Sequence, residues 1–295
     1  MDLFIQLLLN GLIVGLLYGV VAMCFVLIYK STQIVNFAQG EFLMIGAWVC
    51  LSLLTHFQLP FWLGFLMSLV FMSLFGIILQ IVVLRPLIGE SIISVIMVTI
   101  GLSIFFQAAM NMIFGSDAEP FPRIFEQQTL EVAGLQVEMA YFMSAIISLV
   151  IMVVFYIFFK FSRWGLAMRA TAYDQQVSQS LGISVKNVFA IAWAISAVVS
   201  GVAGIVLGIV NTVSNSLAVI GVKVFPATIV GGLDSIVGAV VGGLIIGILE
   251  NMAEFFDGQF LHIGNLYSIA PFYVLIIVLM IKPYGLFGTK HIERI

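Results

Sequence analysis

The chain has 295 residues, of which 62% are hydrophobic and only 8% are charged. Soluble proteins are roughly 45–50% apolar and about 25% charged, so this composition excludes a soluble globule and indicates an integral membrane protein. The 11 Lys and Arg against 14 Asp and Glu also exclude a nucleic-acid binder, which needs a basic face.

Charge-free runs mark the membrane spans, because one crossing needs about 20 consecutive apolar residues. The first run is Leu3–Tyr29, and the next, Phe42–Leu84, is long enough for two spans divided at His56–Pro60. Five more spans are predicted at Ser91–Phe114, Ala140–Phe159, Asn187–Asn211, Ser235–Phe256 and Leu266–Ile281.

The run Leu217–Leu233 is different, because Lys223, Pro226 and a glycine pair interrupt it. Proline removes a backbone donor and glycine permits positive φ, so we predict a break and a half-length helix here. If this piece crosses the membrane, the chain has nine spans; if it is re-entrant, there are eight. The predicted fold class is therefore an all-α polytopic membrane protein with eight or nine transmembrane helices, some broken, forming one transmembrane domain over residues 1–295.

The orientation follows from the basic residues, which concentrate in cytoplasmic loops. With the N-terminus outside, nine of the 11 basic residues lie on the cytoplasmic side, and the acidic loop 115–139 is extracytoplasmic. The nine are Lys30, Arg85, Lys160, Arg163, Arg169, Lys186, Lys282, Lys290 and Arg294. This assignment makes the segment 160–187 a cytoplasmic loop.

Glycines recur at four-residue spacing, as in Gly11, Gly15 and Gly19, which predicts close helix packing in the membrane. A short internal similarity also aligns residues 40–47 with residues 232–239, since both place an acid near a glycine and end in Gly-Ala. Two pseudo-symmetric halves or chance would each explain this similarity.

Three polar segments interrupt the apolar pattern, and each has two interpretations. Residues 33–41 end in Glu41, which either caps the next helix or lines a solute route. Residues 225–235 form either a re-entrant support or part of the same route. Residues 163–183 favour a short helix ended by Gly182, which is either a docking peg for a cytoplasmic partner or a helix on the membrane surface.

Motifs for chemistry are absent from the sequence. It has no phosphate-binding loop, no histidines at metal-ligand spacing and no nucleophile elbow. We therefore predict no catalytic residue and no metal site, and we expect no ATP hydrolysis by this chain. An intramembrane enzyme is a weak rival, because no convincing acid pair or Ser/His dyad lies in the apolar runs.

Four motifs resemble the permease subunits of branched-chain amino-acid ABC importers, and the resemblance runs from about Gly11 to Gly285. N-F-A-Q-G-E at residues 36–41 is similar to that family's I-N-F-A-x-G-E, and R-P-L at residues 85–87 is similar to R-P-[LV]. Residues 169–183 match R-A-x-A-x-[DN]…L-G-I, the family's ATPase-coupling loop. Residues 231–239 match G-G-[LI]-G-S-I-x-G-A, with Asp234 where glycine is usual.

The resemblance implies a multi-pass permease of the bacterial inner (plasma) membrane that binds no cofactor itself. It implies a second homologous permease (heterodimer or homodimer), two cytoplasmic ATP-binding subunits that use ATP, and an extracytoplasmic solute-binding protein. The solute-route candidates are Asn36, Gln39, Gly40, Glu41, Gly231, Gly232, Asp234 and Ser235. The coupling-loop candidates are Arg169, Ala170, Ala172, Asp174, Leu181, Gly182 and Ile183.

Related solutes remain open at this stage, because similar permeases carry urea, short amides or aromatic acids. A stand-alone secondary transporter is the rival from a different class. Proton-driven transporters usually carry buried carboxylates or histidine relays. In this sequence the apolar runs contain few acids, namely Glu41, Asp234 and Glu250, which argues against a proton-driven transporter.

Overall fold

A computed structural model describes residues 2–122, 129–132, 135–262 and 264–289 of the chain. The bilayer offers no water to backbone groups, so an apolar chain satisfies them within helices. The helices are α1 (Asp2–Thr32), α2 (Gln39–Thr55), α3 (Phe61–Leu79), α4 (Ile92–Phe114), α5 (Met139–Phe161), α6 (Arg163–Tyr173), α7 (Gln175–Ser180), α8 (Val185–Val210), α9 (Leu217–Gly231), α10 (Ile236–Phe256) and α11 (Leu266–Ile281). Short π-helical turns extend α3 over Gln80–Leu84 and α10 over Asp257–Leu261.

The predicted all-α membrane class is confirmed. Within the described part of the chain, six helices, including their extensions, are long and apolar enough to cross a membrane: Ile5–Thr32, Phe61–Leu87, Ile92–Phe114, Met139–Phe161, Val185–Val210 and Ile236–Phe260. Three shorter apolar helices, α2, α9 and α11, account for the remaining predicted spans within the described residues. The predicted boundary at His56–Pro60 is also right, since α2 ends at Thr55 and α3 begins at Phe61.

One local prediction needs correction, and one pair of strands was not predicted. Pro226 does not break α9, which continues through it and ends at Gly231, followed by Gly232 at φ 111°. One missing N–H costs a helix a single hydrogen bond, whereas the glycine pair permits the left-handed turn that stops it. The segment 115–139, predicted to be an extracytoplasmic loop, contains a pair of antiparallel strands, β1 (Thr129–Val132) and β2 (Leu135–Glu138), which the sequence did not predict.

The chain forms two compact units. The terminal unit contains Met1–Val26, Gln127–Leu149 and Lys223–Ile295, and the central unit contains Leu27–Glu126 and Val150–Val222. The prediction of one permease domain over the whole chain stays a prediction.

Glycines give both units their tightest helix contacts, as their spacing predicted. In the terminal unit, a Cβ on Gly15 of α1 would lie 2.8 Å from the Cα atom of Leu244 on α10. In the central unit, a Cβ on Gly76 of α3 would lie 2.6 Å from the carbonyl oxygen of Trp193 on α8. Such backbone approach is how helices pack where lipid provides no hydrophobic driving force between them.

Candidate functional site

The start of α2 brings the first group of predicted route residues into the interior of the central unit. After α1 ends, Gln33 adopts a left-handed conformation (φ 59°) that turns the chain. The Asn36 side chain then accepts a hydrogen bond from the N–H of Ala38 at 3.0 Å, one residue before α2 begins at Gln39. Asn36, Gln39 and Glu41 are all buried as a result.

A neutral network of side-chain hydrogen bonds surrounds Gln39. The Gln39 Oε1 atom accepts bonds from Asn36 Nδ2 at 3.1 Å and from Ser196 Oγ at 3.2 Å. Its Nε2 group donates to Ser200 Oγ on the next turn of α8. Because every amide group of Gln39 has a partner, this network ties α2 to α8 without burying a charge.

Gly40 is placed where only glycine fits. A Cβ on Gly40 would overlap the carbonyl oxygen of Ala218 in α9 and would lie 3.2 Å from the Cα atom of Gly221. The predicted route residue Gly40 therefore has a packing role that the structure makes explicit.

Glu41 is the buried charge of this region. Its residue surface is 5% exposed, and its Oε1 atom accepts a hydrogen bond from Ser103 Oγ of α4 at 2.6 Å. Its Oε2 atom is also buried and has no hydrogen-bond partner among the described residues. An unpaired buried carboxylate oxygen is costly, so this atom is a ready acceptor for a proton, a water molecule or a passing donor.

The second group of predicted route residues forms the turn between α9 and α10 in the terminal unit. Ser235 caps α10 by accepting a hydrogen bond from the N–H of Gly238 at 3.0 Å. Asp234 is partly exposed and accepts a bond from the N–H of Thr289 at 3.1 Å. Gly231 and Gly232 are buried, and the tail crosses at Gly232, where a Cβ would lie 2.6 Å from the nitrogen of Gly288.

The predicted coupling loop contains two helices rather than the single one predicted. Asp174 separates α6 from α7 with an extended backbone (φ −155°), and its Oδ1 atom accepts bonds from the N–H groups of Gln176 and Val177. Aspartate is a strong N-cap, so it starts a new helix where the sequence suggested continuity. Gly182 has φ 83° and ends α7, as predicted.

The coupling-loop candidates divide into anchoring and exposed positions. Arg169 is an anchor, because its guanidinium donates to the carbonyl oxygen of Phe159 at the end of α5. Asp174, Leu181 and Gly182 are exposed. Ala170, Ala172 and Ile183 have intermediate exposure.

A cavity of about 210 Å³ lies beside this loop in the central unit. Its wall includes Gln33 after α1, Gln80 on the π-helical turn after α3, Gln175 of α7 and Trp193 of α8. Gln175 of the coupling segment therefore shares this cavity with the ends of α1 and α3 and with Trp193 of α8.

One polar cluster was missed as a group by sequence reasoning. In the terminal unit, Lys223 of α9 forms an ion pair with Glu250 of α10, and Tyr18 of α1 donates a hydrogen bond to the same carboxylate. The sequence showed each residue separately, Lys223 as a lysine inside an apolar run and Glu250 as an internal acid. Their pairing joins residues 27 positions apart, which no local pattern reveals.

Comparisons with known proteins point to one family. Residues 7–281 match the family model described as "Branched-chain amino acid transport system / permease component". The chain is 30% identical to the high-affinity branched-chain amino acid transport system permease protein LivH of Escherichia coli (strain K12), over 99% of this chain and 98% of the relative. It is also 30% identical to the corresponding BraD protein of Pseudomonas aeruginosa, with the same coverage.

The chain belongs to this permease family. The permease is also 28% identical to the probable branched-chain amino acid transport permease protein LivH of Methanocaldococcus jannaschii. The match covers 100% of this chain and 96% of that relative. The fold of the permease is similar to that of PsaBC from Streptococcus pneumoniae, solved in complex with Fab, with a TM-score of 0.50 and 16% identity. The match covers 95% of the permease and 92% of that chain.

Proposed function

We propose that this chain is the transmembrane permease subunit of a binding-protein-dependent ABC importer for branched-chain amino acids. The observation that carries the proposal is the match over nearly the whole chain to relatives named for that transport. It lies in the inner membrane, crosses it several times and provides the solute route, whereas partner subunits bind and hydrolyse ATP.

The polar network at the start of α2 supports a solute route in this region. Ionisable and polar side chains inside membrane bundles are rare, face the bundle interior and often mark solute or ion pathways. Glu41 has one carboxylate oxygen without a partner in the described part of the chain, so it can exchange hydrogen bonds with a passing solute. Gln39 hydrogen-bonds Ser196 and Ser200 of α8 and so holds the start of α2 in place.

The coupling segment supports docking of a cytoplasmic ATPase. Val177 of α7 and Leu181 at its C-terminal end lie four residues apart, are 56% and 76% exposed, and form an exposed apolar stripe. Tyr173, the last residue of α6, is 95% exposed beside them in the chain. An exposed apolar stripe on an otherwise polar loop favours a protein partner. Arg169 and the Asp174 cap fix the two short helices, so a force on α7 is transmitted to the bundle.

The distribution of charge supports a cytoplasmic location for this segment. At one end of the central unit, Lys30 Nζ lies 5.4 Å from the ring centroid of Phe159, whose carbonyl oxygen accepts the bond from Arg169. At the other end, the backbone of Glu119 pairs with that of Val213. The basic end is cytoplasmic by the positive-inside rule. A reporter fused after Gln176 should therefore read cytoplasmic, and one after Gln128 extracytoplasmic; swapped readings would refute this orientation.

Uptake measurements test which solute the importer carries. Disruption of the gene should abolish high-affinity uptake of labelled leucine, and the intact gene should restore it. Competition by valine and isoleucine supports the proposal, whereas competition by urea, short amides or aromatic acids alone would replace the amino-acid assignment. Uptake by the isolated chain in vesicles with a proton or sodium gradient would instead establish a secondary transporter.

A second experiment tests the docking segment. Leu181→Glu places a charge in the exposed stripe, and Gln179→Glu is a matched control at an exposed position outside it. We expect the Leu181 variant to lose co-purification of the ATPase subunits while the membrane bundle melts unchanged. Equal ATPase binding by both variants would exclude this stripe as the docking surface.

A further inference from the structure

A charged cluster joins four helices of the terminal unit. The Nζ atom of Lys223 (α9) lies 2.5 Å from Oε1 of Glu250 (α10), and the hydroxyl of Tyr18 (α1) donates to Oε2 of the same carboxylate at 2.7 Å. The ammonium group also lies 4.7 Å from the ring centroid of Tyr267 (α11). Both oxygens of Glu250 are therefore satisfied, and the cluster as a whole is neutral.

A role in packing alone does not explain this pair. An apolar pair of similar volume would hold two helices together as well or better, because burying two charges costs desolvation energy. Charged residues in membrane helices face a bundle interior or a water-filled cavity and often mark a transport pathway. The side chain of Lys223 is 19% exposed, against 8% for Glu250, so the lysine is the more accessible partner of the pair.

The pair has the charges that complement an α-amino acid. A zwitterion carries one carboxylate and one ammonium group, joined through a single carbon, and has no net charge. If its carboxylate binds Lys223 and its ammonium group binds Glu250, one closed ion pair is replaced by two. Every charge keeps a partner throughout, and no net charge enters the bundle, which avoids the largest cost of moving an ion into an apolar environment.

The surroundings suit such an exchange. Tyr18 continues to donate to the carboxylate of Glu250 when Lys223 moves away, so the acid is never left without a partner. The face of Tyr267 stabilises the ammonium group of Lys223 in either position. Pro226, three residues from Lys223, removes one hydrogen bond from α9 and makes a small displacement of this helix easier.

We propose that Lys223 and Glu250 form a transient binding site for the zwitterionic head of an α-amino acid in transit, with Lys223 taking its carboxylate and Glu250 its ammonium group. This inference rests on the proposed amino-acid function. It assigns recognition of the amino-acid head group to a site that is separate from the Gln39–Glu41 segment.

The test uses the complete complex with its ATPases and its solute-binding protein, reconstituted in liposomes. The double variant Lys223→Met/Glu250→Gln removes both charges together and leaves no unpaired ion. We expect it to assemble and melt like the wild type but to take up labelled leucine about tenfold more slowly or worse, because both charged contacts to the amino-acid head are removed and the loss of one alone would cost about tenfold. Lys282→Met, which removes an exposed lysine of the same unit, should keep the wild-type rate.

Wild-type uptake by the double variant would overturn the proposal and leave the pair a packing element. Absence of leucine uptake by the wild-type complex would instead reject the proposed amino-acid function, so the two failures are distinguishable.

If the double variant does not assemble, the single variant Lys223→Cys tests whether uptake needs a positive charge at this position. Its thiol, treated with an aminoethyl thiosulfonate, forms a mixed disulfide that restores a positive charge and releases methanesulfinate. Recovery of uptake with the aminoethyl reagent but not with the uncharged methyl analogue supports the proposal. Equal uptake after both treatments refutes it. Cys24 and Cys50 are buried, and the same treatments of the wild type control for them.

Discussion

Residues 36–41 of the central unit and residues 231–235 of the terminal unit both place an acid beside a glycine, but their environments differ. Gly40 is the second residue of α2, so Glu41 lies in the first turn of that helix and is buried against Ser103. Gly232 is left-handed, and Asp234 lies in the turn before α10, partly exposed and tied to Thr289. The position at which the helix begins therefore decides whether such an acid enters the bundle: α2 begins before Glu41, whereas α10 begins after Asp234.

This difference has consequences for function. A carboxylate inside the bundle affects the energy of a passing solute, because its field is poorly screened there. A carboxylate that accepts hydrogen bonds from the C-terminal tail at a turn mainly holds that tail. We therefore expect Glu41 to affect transport and Asp234 to affect local stability, and four substitutions test this, from the largest expected effect to the smallest.

The largest effect is expected at Gly40. Gly40→Ala forces a methyl group into the backbone of α9 at Ala218, and overpacking of this kind costs about 1–3 kcal/mol or more. We expect loss of folded permease from the membrane fraction. Gly101→Ala in α4 is the matched control, because nothing lies within 4 Å of its added Cβ. Equal folding of both variants, measured by thermal unfolding in detergent, would show that α2 and α9 are not packed as described.

Neutralising Glu41 should change transport several-fold. Glu41→Gln keeps the shape of the side chain and can still accept the bond from Ser103, so the bundle should remain folded. Initial uptake rates, normalised to assembled complex, should differ from wild type, whereas Glu254→Gln, an exposed carboxylate on α10, should not. A wild-type rate for Glu41→Gln would remove this residue from the solute route.

Gly232→Ala should destabilise the terminal unit without blocking transport. Its backbone is left-handed at φ 111°, where a side chain adds roughly 1–2 kcal/mol of strain, and the added Cβ also meets Gly288 of the tail. The nearest atom to this Cβ is 2.6 Å away, whereas a Cβ on Gly40 would overlap a carbonyl oxygen, so the effect should be smaller than at Gly40. A melting temperature equal to that of the wild type would contradict the left-handed turn.

The smallest effect is expected at Asp234. Asp234→Gly removes the acceptor for Thr289 and restores the residue usual in the family, at a cost of about 0.5–1.5 kcal/mol. We expect a small drop in melting temperature and unchanged competition between solutes. A changed solute preference would mean that Asp234 faces the route after all, and that the contrast with Glu41 is wrong.

The sequence by itself determined the class of protein and the order of its helices. Low charge and long apolar runs require membrane helices, since backbone groups in lipid must be satisfied within the chain. Its motifs also indicated the family, which the comparisons confirmed. The end of α9 before Gly232 and the end of α7 before Gly182 could be predicted locally, because glycine adopts a positive φ more easily than other residues.

Only the tertiary structure decided which polar residues meet. Gln39 finds Ser196 and Ser200 more than 150 residues away, and Lys223 finds Glu250 across two helices. Such partners depend on helix rotation and depth, which are set by the packing of glycines against backbone atoms and not by the residues nearby in the chain.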